Sequence, residues 1–128
     1  MNITVNGKSY ELKTKLGVAV AIEKTFGISL MHIMQKFDRD ADIDELIKII
    51  SLAADVSERD QITKDILDCW DFSDLRLAVN ELLLRISFSG TPEEIEQKID
   101  KRGVGEPEKN TIREMLGLPK KPVSIQSN

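Results

Sequence analysis

Apolar residues alternate with polar ones as far as Leu12, and from Lys15 onward they return every three or four positions. That change of period, from two to 3.6, restricts the chain to a short β segment followed by helices. Ile3 and Val5 flank Thr4, and Tyr10 and Leu12 flank Glu11. Between the two runs lies Asn6-Gly7, the pair that accepts positive φ at both centres of a type I′ turn. The first twelve residues therefore read as a β-hairpin. Two strands alone are marginal in water, so the hairpin must dock on the helices, pair with another strand, or do both.

The helical part divides at its capping residues. A first helix is expected over about 15–25, with Leu16, Ala19, Val20 and Ile22 inward and Gly27 as its left-handed stop. Ser29 caps a second, in which Leu30, Ile33, Met34 and Phe37 make the apolar stripe and His32 falls off it. The acidic stretch Asp38–Asp44 reads as a loop. Asp42 and Glu45 then open a third helix with capping-box spacing, whose buried face is Ile43, Leu46, Ile47 and Ile50. Ser57 and Asp60 start a fourth containing Ile62, Ile66, Leu67 and Cys69. A fifth runs from Asp71 or Ser73 to about Phe88 and is apolar on two sides: Leu75, Ala78, Val79, Leu82 and Ile86 on one, Leu77, Leu84 and Phe88 on another. Such a helix is either central in its domain or shared with a partner. Thr91-Pro92-Glu93-Glu94 opens a sixth, ending near Gly103, and a seventh is expected over 107–116 with Gly117 as its stop. The fold class is mainly α with a small N-terminal β-hairpin (α+β), a compact bundle of about six to seven helices. One domain is expected over 1–117 and a flexible, disordered tail over 118–128.

Composition narrows the function. Of 128 residues 41% are hydrophobic, enough for a core, and the net charge of -4 argues against nucleic-acid binding by bulk electrostatics. No apolar run approaches the roughly 20 residues of a membrane span, and no leader pattern opens the chain, so a soluble protein that stays where it is made is expected. Cys69 is the single cysteine and His32 the single histidine. Cys69 lies between Asp68 and Trp70-Asp71, where acids raise a thiol pKa, and reads as a buried structural residue. Asp38-Arg39-Asp40-Ala41-Asp42 opens like a calcium-binding EF-hand loop, but Ile43 and Ile49 stand where the turn glycine and the bidentate glutamate belong, leaving a solvated acidic loop. Gly103-Val104-Gly105 is too short for a dinucleotide loop, and the acids of Ser57–Trp70 count against a DNA recognition helix. No catalytic, metal or cofactor-binding residue is assigned, and a binding module without enzymatic activity is expected.

Ile3-Thr4-Val5-Asn6-Gly7-Lys8-Ser9-Tyr10-Glu11-Leu12, followed by Ala21–Leu30, resembles the tail assembly chaperones of long-tailed, non-contractile bacteriophages. In that family an NGK-x-Y-x-L hairpin precedes a helix ending in E-x-x-x-G-x-S-L, a phrase matched by Glu23, Gly27, Ser29 and Leu30. The likeness covers about residues 3–50 and is architectural beyond them. It implies a chaperone, in its short form of a frameshifted pair, that works in the host cytoplasm. There it would coat and solubilise the tape measure protein, help recruit the tail tube protein and stay out of the mature virion. Leu118-Pro119-Lys120-Lys121-Pro122 is compatible with a slippery codon run.

The candidate contact residues for client binding or self-association are Leu77, Leu84 and Phe88, with the hairpin edge residues Thr4 and Ser9. Packing of the three helix residues inside the monomer stands as the alternative. No nucleic acid, membrane or cofactor is expected as partner. The alternative function is a small acidic protein-binding regulator, antitoxin-like or a phage-encoded inhibitor of a host protein.

Overall fold

In the computed structural model, which describes residues 1–121 apart from the Asp38 side chain, the hairpin forms as the alternation requires. β1 (Asn2–Val5) and β2 (Lys8–Glu11) pair antiparallel with Val5 opposite Lys8, so Asn6 and Gly7 make the whole loop at φ 52° and 71°. Met1 and Leu12 exchange both backbone hydrogen bonds (Leu12 N–H to Met1 O 2.7 Å, Met1 ammonium to Leu12 O 3.0 Å) and extend the ladder. Ile3, Val5, Tyr10 and Leu12 share the buried face, while Asn2, Thr4, Ser9 and Glu11 face outward.

Seven α-helices follow among the described residues: α1 (Leu16–Phe26), α2 (Leu30–Arg39), α3 (Ile43–Ala53), α4 (Arg59–Cys69), α5 (Phe72–Ser87), α6 (Pro92–Asp100) and α7 (Glu106–Met115). The protein is mainly helical with an N-terminal hairpin. The joint between α1 and α2 explains the Glu23-Gly27-Ser29-Leu30 phrase. Gly27, at φ 71°, gives its N–H to Glu23 O at 2.8 Å, the Glu23 carboxylate accepts from Leu30 N–H at 2.8 Å, and Ser29 Oγ accepts from His32 N–H at 3.3 Å. A Cβ at Gly27 would meet nothing within 4 Å, so Gly27→Ala carries only the left-handed backbone penalty. We expect a loss of about 1 kcal/mol, read as a lower denaturant midpoint at unchanged slope.

Two compact units are present, Met1–Ile86 and Ser87–Asn128, the second described to Lys121. The first has a core of hairpin and helix residues that includes Leu12, Ile22, Ile33, Leu46, Ile50 and Val79. Lys13 N–H donates to Ala53 O at 2.8 Å, fixing the exit of the hairpin against the end of α3. No single helix among the described residues is long and apolar enough to cross a membrane. α1 and α2 have the length together but are bent by 72° at their break, and Val18, Ala19, Ile22, Ile33 and Phe37 lie in the core.

Several expected details are corrected. On α1 the inward face is Val18, Ala19 and Ile22, while Leu16 and Val20 are exposed. Helix α2 continues to Arg39, shortening the acidic loop. Ile43 is exposed because it sits in the first turn of α3, ahead of the core residues Leu46, Ile47, Ile49 and Ile50. Asp42 makes no side-chain cap, although Glu45 accepts from its backbone N–H, which is half of a capping box. The start before α4 is held by Asp55, whose carboxylate accepts from Ser57 N–H at 3.2 Å across a short 3-10 turn at Val56–Glu58. Leu67 and Cys69 are exposed, because α4 buries only the Ile62–Asp65–Ile66 side.

In the second unit Thr91 Oγ1 caps α6 by accepting from Glu94 N–H at 3.2 Å. Gly117, at φ 74°, stops α7, and Leu118 N–H returns to Arg113 O at 2.8 Å. The opening of the expected tail is tied down: Asn110 accepts from Lys121 N–H at 2.9 Å and donates to Lys121 O at 2.7 Å. Residues 122–128, the rest of that expected tail, lie outside the described residues.

Candidate protein-binding surface

Helix α5 begins on a reciprocal cap, Asp74 N–H to Asp71 Oδ1 at 2.8 Å and Asp71 N–H to Asp74 Oδ2 at 3.2 Å. Both acids are thereby fixed at its first turn, with the apolar residues Trp70 and Phe72 on either side of Asp71. Leu75, Val79, Leu82, Leu83 and Ile86 go into the core, so the inward stripe is the expected one with Leu83 added and Ala78 only half-buried. Leu77 stays 60% exposed.

Two grooves meet at Trp70. The larger, about 390 Å³, runs between β1 and α5 and is lined by Ile3, Thr4, Trp70, Asp74, Leu77 and Glu81 among others. The smaller, about 150 Å³, is lined by Ile43, Leu67, Trp70, Asp71 and Phe72 over the core residue Leu75. Ile43, Leu67, Phe72 and Leu77 are 52%, 60%, 46% and 60% exposed. Trp70, itself half-buried, lines both grooves and joins these side chains into one band on the first unit. Asp71, Asp74 and Glu81 are its charged side chains, and among the described residues no lysine or arginine lines either groove.

A buried polar pin holds the hairpin beside this band. Asp65 of α4, 2% exposed, accepts from the Tyr10 hydroxyl, from Gln61 Nε2 at 2.9 Å and from Asn6 Nδ2 at 3.3 Å, with Lys8 Nζ at 3.6 Å. The Tyr10 hydrogen bond, then those of Asn6 and Gln61 and the charge of Lys8, hold the Asp65 carboxyl below its usual range against the opposing effect of desolvation. The same hydrogen bond, followed by burial, pushes Tyr10 up to about 12. Asp65 was not among the expected site residues. Its one signal is an acid at i+3 from Ile62, on the inward side of the helix.

Of the residues expected to make contacts, Thr4 and Leu77 come together on the larger groove. Ser9 lies opposite Thr4 on the outward face of β2 but lines neither groove. Leu84 is half-buried. Phe88 follows the end of α5 and is buried in the second unit, with the Arg102 guanidinium 5.4 Å from its ring centroid, so the second stripe does not persist as a stripe. Ile43, Leu67, Trp70 and Phe72 are the members of the band that the sequence reading did not assign. For Ile43 that is a correction, since it was expected on the buried face of its helix.

The residues considered for chemistry lie elsewhere. His32 Nδ1 is 3.0 Å from Ser29 Oγ on the exposed start of α2, and Cys69 is exposed at the end of α4 rather than buried. Among the described residues no three His, Cys, Asp or Glu side chains gather as metal ligands, and the EF-hand-like Asp38-Arg39 lies within α2. No protein-family model, curated protein or solved structure matches the chain.

Proposed function

We propose that the chain is a non-enzymatic tail assembly chaperone of a long-tailed, non-contractile phage. In this reading it binds and solubilises the tape measure protein in the host cytoplasm, helps recruit tail tube subunits and is absent from the mature virion. The observation that carries a binding role is the set of exposed side chains Ile43, Leu67, Phe72 and Leu77 around two grooves joined at half-buried Trp70. Scattered single apolar residues are ordinary on a surface, whereas a joined patch with charged margins marks an interaction site. The phage assignment is supported by the resemblance over residues 3–50.

The mechanism is a holdase equilibrium. Apolar stretches of the client are covered by the band on several chaperone copies, which lowers the concentration of free aggregation-prone client by mass action. Covering one leucine side chain contributes roughly 1.5–3 kcal/mol, so losing one such contact weakens binding by about tenfold or more. Leu77→Asp, on a 60% exposed position, removes such a contact without entering the core. We expect the variant to keep its melting temperature and to lose co-purification with tape measure fragments, while Leu84→Asp, at a half-buried site, changes folding and binding together. Undiminished co-purification by folded Leu77→Asp contradicts the assignment. Capture of one defined host protein, with no tape measure binding, favours the acidic regulator instead.

A further inference from the structure

The larger groove is bounded on one side by a sheet edge. Among the described residues β1 has β2 as its one neighbour, and Met1 and Leu12 exchange both ladder hydrogen bonds. Antiparallel ladders alternate, so Ile3 and Val5 also bond inward to Tyr10 and Lys8, and the N–H and C=O groups of Asn2 and Thr4 point away from β2. Such outward-pointing groups are a template for one more strand. The groove takes its strand lining from Met1, Ile3 and Thr4 and none from β2, which puts it on this free side. Across it stand Leu77, Ala78 and Trp70, with Asp74 and Glu81 as the charged side chains.

We propose that the β1 edge accepts an extended, basic segment of the partner protein as a third strand, lying in the groove between β1 and α5. This rests on the reading that the band binds protein, and it specifies the partner's local form and charge. A bound strand pairs its backbone with Asn2 and Thr4 and turns every second side chain toward Leu77 and Trp70. Lys or Arg side chains on that segment meet Asp74 and Glu81. The Met1 ammonium on the larger groove's lining is already engaged with Leu12 O at 3.0 Å, and Glu81 shares its charge with Arg85 Nε at 3.7 Å. That leaves Asp74 as the groove's acid without a cation among the described residues, and the groove selective for cationic over anionic segments. A helix satisfies its own backbone groups and would leave the β1 edge unpaired.

The test uses the full chain and three capped peptides. One alternates lysine and valine, the second carries the same residues at helical spacing, and the third alternates glutamate and valine. The alternating lysine peptide is expected to bind at least tenfold tighter than either of the others and to slow amide hydrogen exchange at Asn2 and Thr4. Glu81→Lys is expected to weaken it at least tenfold. Thr4→Pro removes one outward N–H without touching a ladder bond to β2 and should do the same. Equal or tighter binding of the helically spaced peptide, or unchanged exchange at Thr4 in the saturated complex, overturns the proposal. If Leu77→Asp abolishes tape measure binding yet no peptide pairs with β1, the strand assignment falls and the chaperone reading stands. If the peptide pairs with β1 but the chain leaves the tape measure protein unprotected, the reverse holds.

Discussion

Replacing Arg113 with alanine is expected to unfold the second unit. The Arg113 side chain is fully buried and joins α6 to α7. Its Nε donates to both oxygens of Glu96, at 2.9 and 3.1 Å, and its Nη1 donates to Glu106 at 2.6 Å and to Asn110 Oδ1 at 2.8 Å. Truncation leaves Glu96 and Glu106 without their shared cation and opens a hole the length of an arginine. Breaking a buried pair from one side costs about 3 kcal/mol or more. The apolar core of this unit is small, with Phe88, Ile99, Ile112 and Leu116 as its buried members, so a loss of that size is decisive. Amide hydrogen exchange would show it: α6 and α7 lose protection while α3 keeps it. Arg113→Lys retains the charge but cannot fork between two carboxylates, and should recover only part of the protection. The Arg113 hydrogen bond is also the main cause that holds Glu96 below the usual carboxylate range. This stabilisation is present above the ordinary glutamate pKa of about 4.3 and is lost as pH falls through the lower folded value.

Tyr10→Phe should destabilise the first unit by about 2 kcal/mol, a fall in melting temperature on the order of 10 °C, because Asp65 loses a donor inside the protein. The pH dependence identifies the cause. Tyr10 is raised from 10.0 to about 12, so the neutral phenol is favoured in the folded state; its contribution is complete below pH 10 and is lost as pH rises toward 12. Asp65 is lowered, so its contribution is present above the ordinary aspartate pKa of about 3.9 and disappears as pH falls below it. Wild type should therefore lose stability between pH 10 and 12 in a phase that the phenylalanine variant lacks. Thermal melts across that range check it, and identical alkaline profiles for the two proteins would contradict it.

The elements were legible where local chemistry dictates them. Asn6-Gly7 specifies its own turn, Gly27 and Ser29 their joint, and Thr91-Pro92 the start of α6, each through backbone geometry within a few residues. The faces were less legible. On α1, helical spacing allows both Leu16–Val20 and Val18–Ile22, and tertiary packing chooses the second. Ile43 and Leu67 fit an apolar stripe by spacing and still lie outside the core, since spacing fixes which residues share a face and not how far the core extends beneath it. For the same reason Thr4 and Leu77 were recognisable as contact candidates, whereas the band joining Ile43, Leu67, Phe72 and Leu77 through Trp70 depends on α4 and α5 meeting at Asp71. Phe88 shows the limit most plainly. It continues the period of α5 by number, but the helix ends at Ser87 and its ring is taken into the second unit. The Asp65 pin brings together residues 55 apart in sequence, which no local rule reaches.

If the chain is a holdase, the exposed apolar band itself keeps a client in solution. Light scattering of the tape measure protein, diluted from denaturant with increasing amounts of this chain, measures that directly when Leu67→Asp/Leu77→Asp is run beside the wild type. Wild type is expected to suppress scattering in proportion to its concentration, and the folded double variant to need at least tenfold more for the same effect. Equal suppression by the two, or none by the wild type, would contradict it.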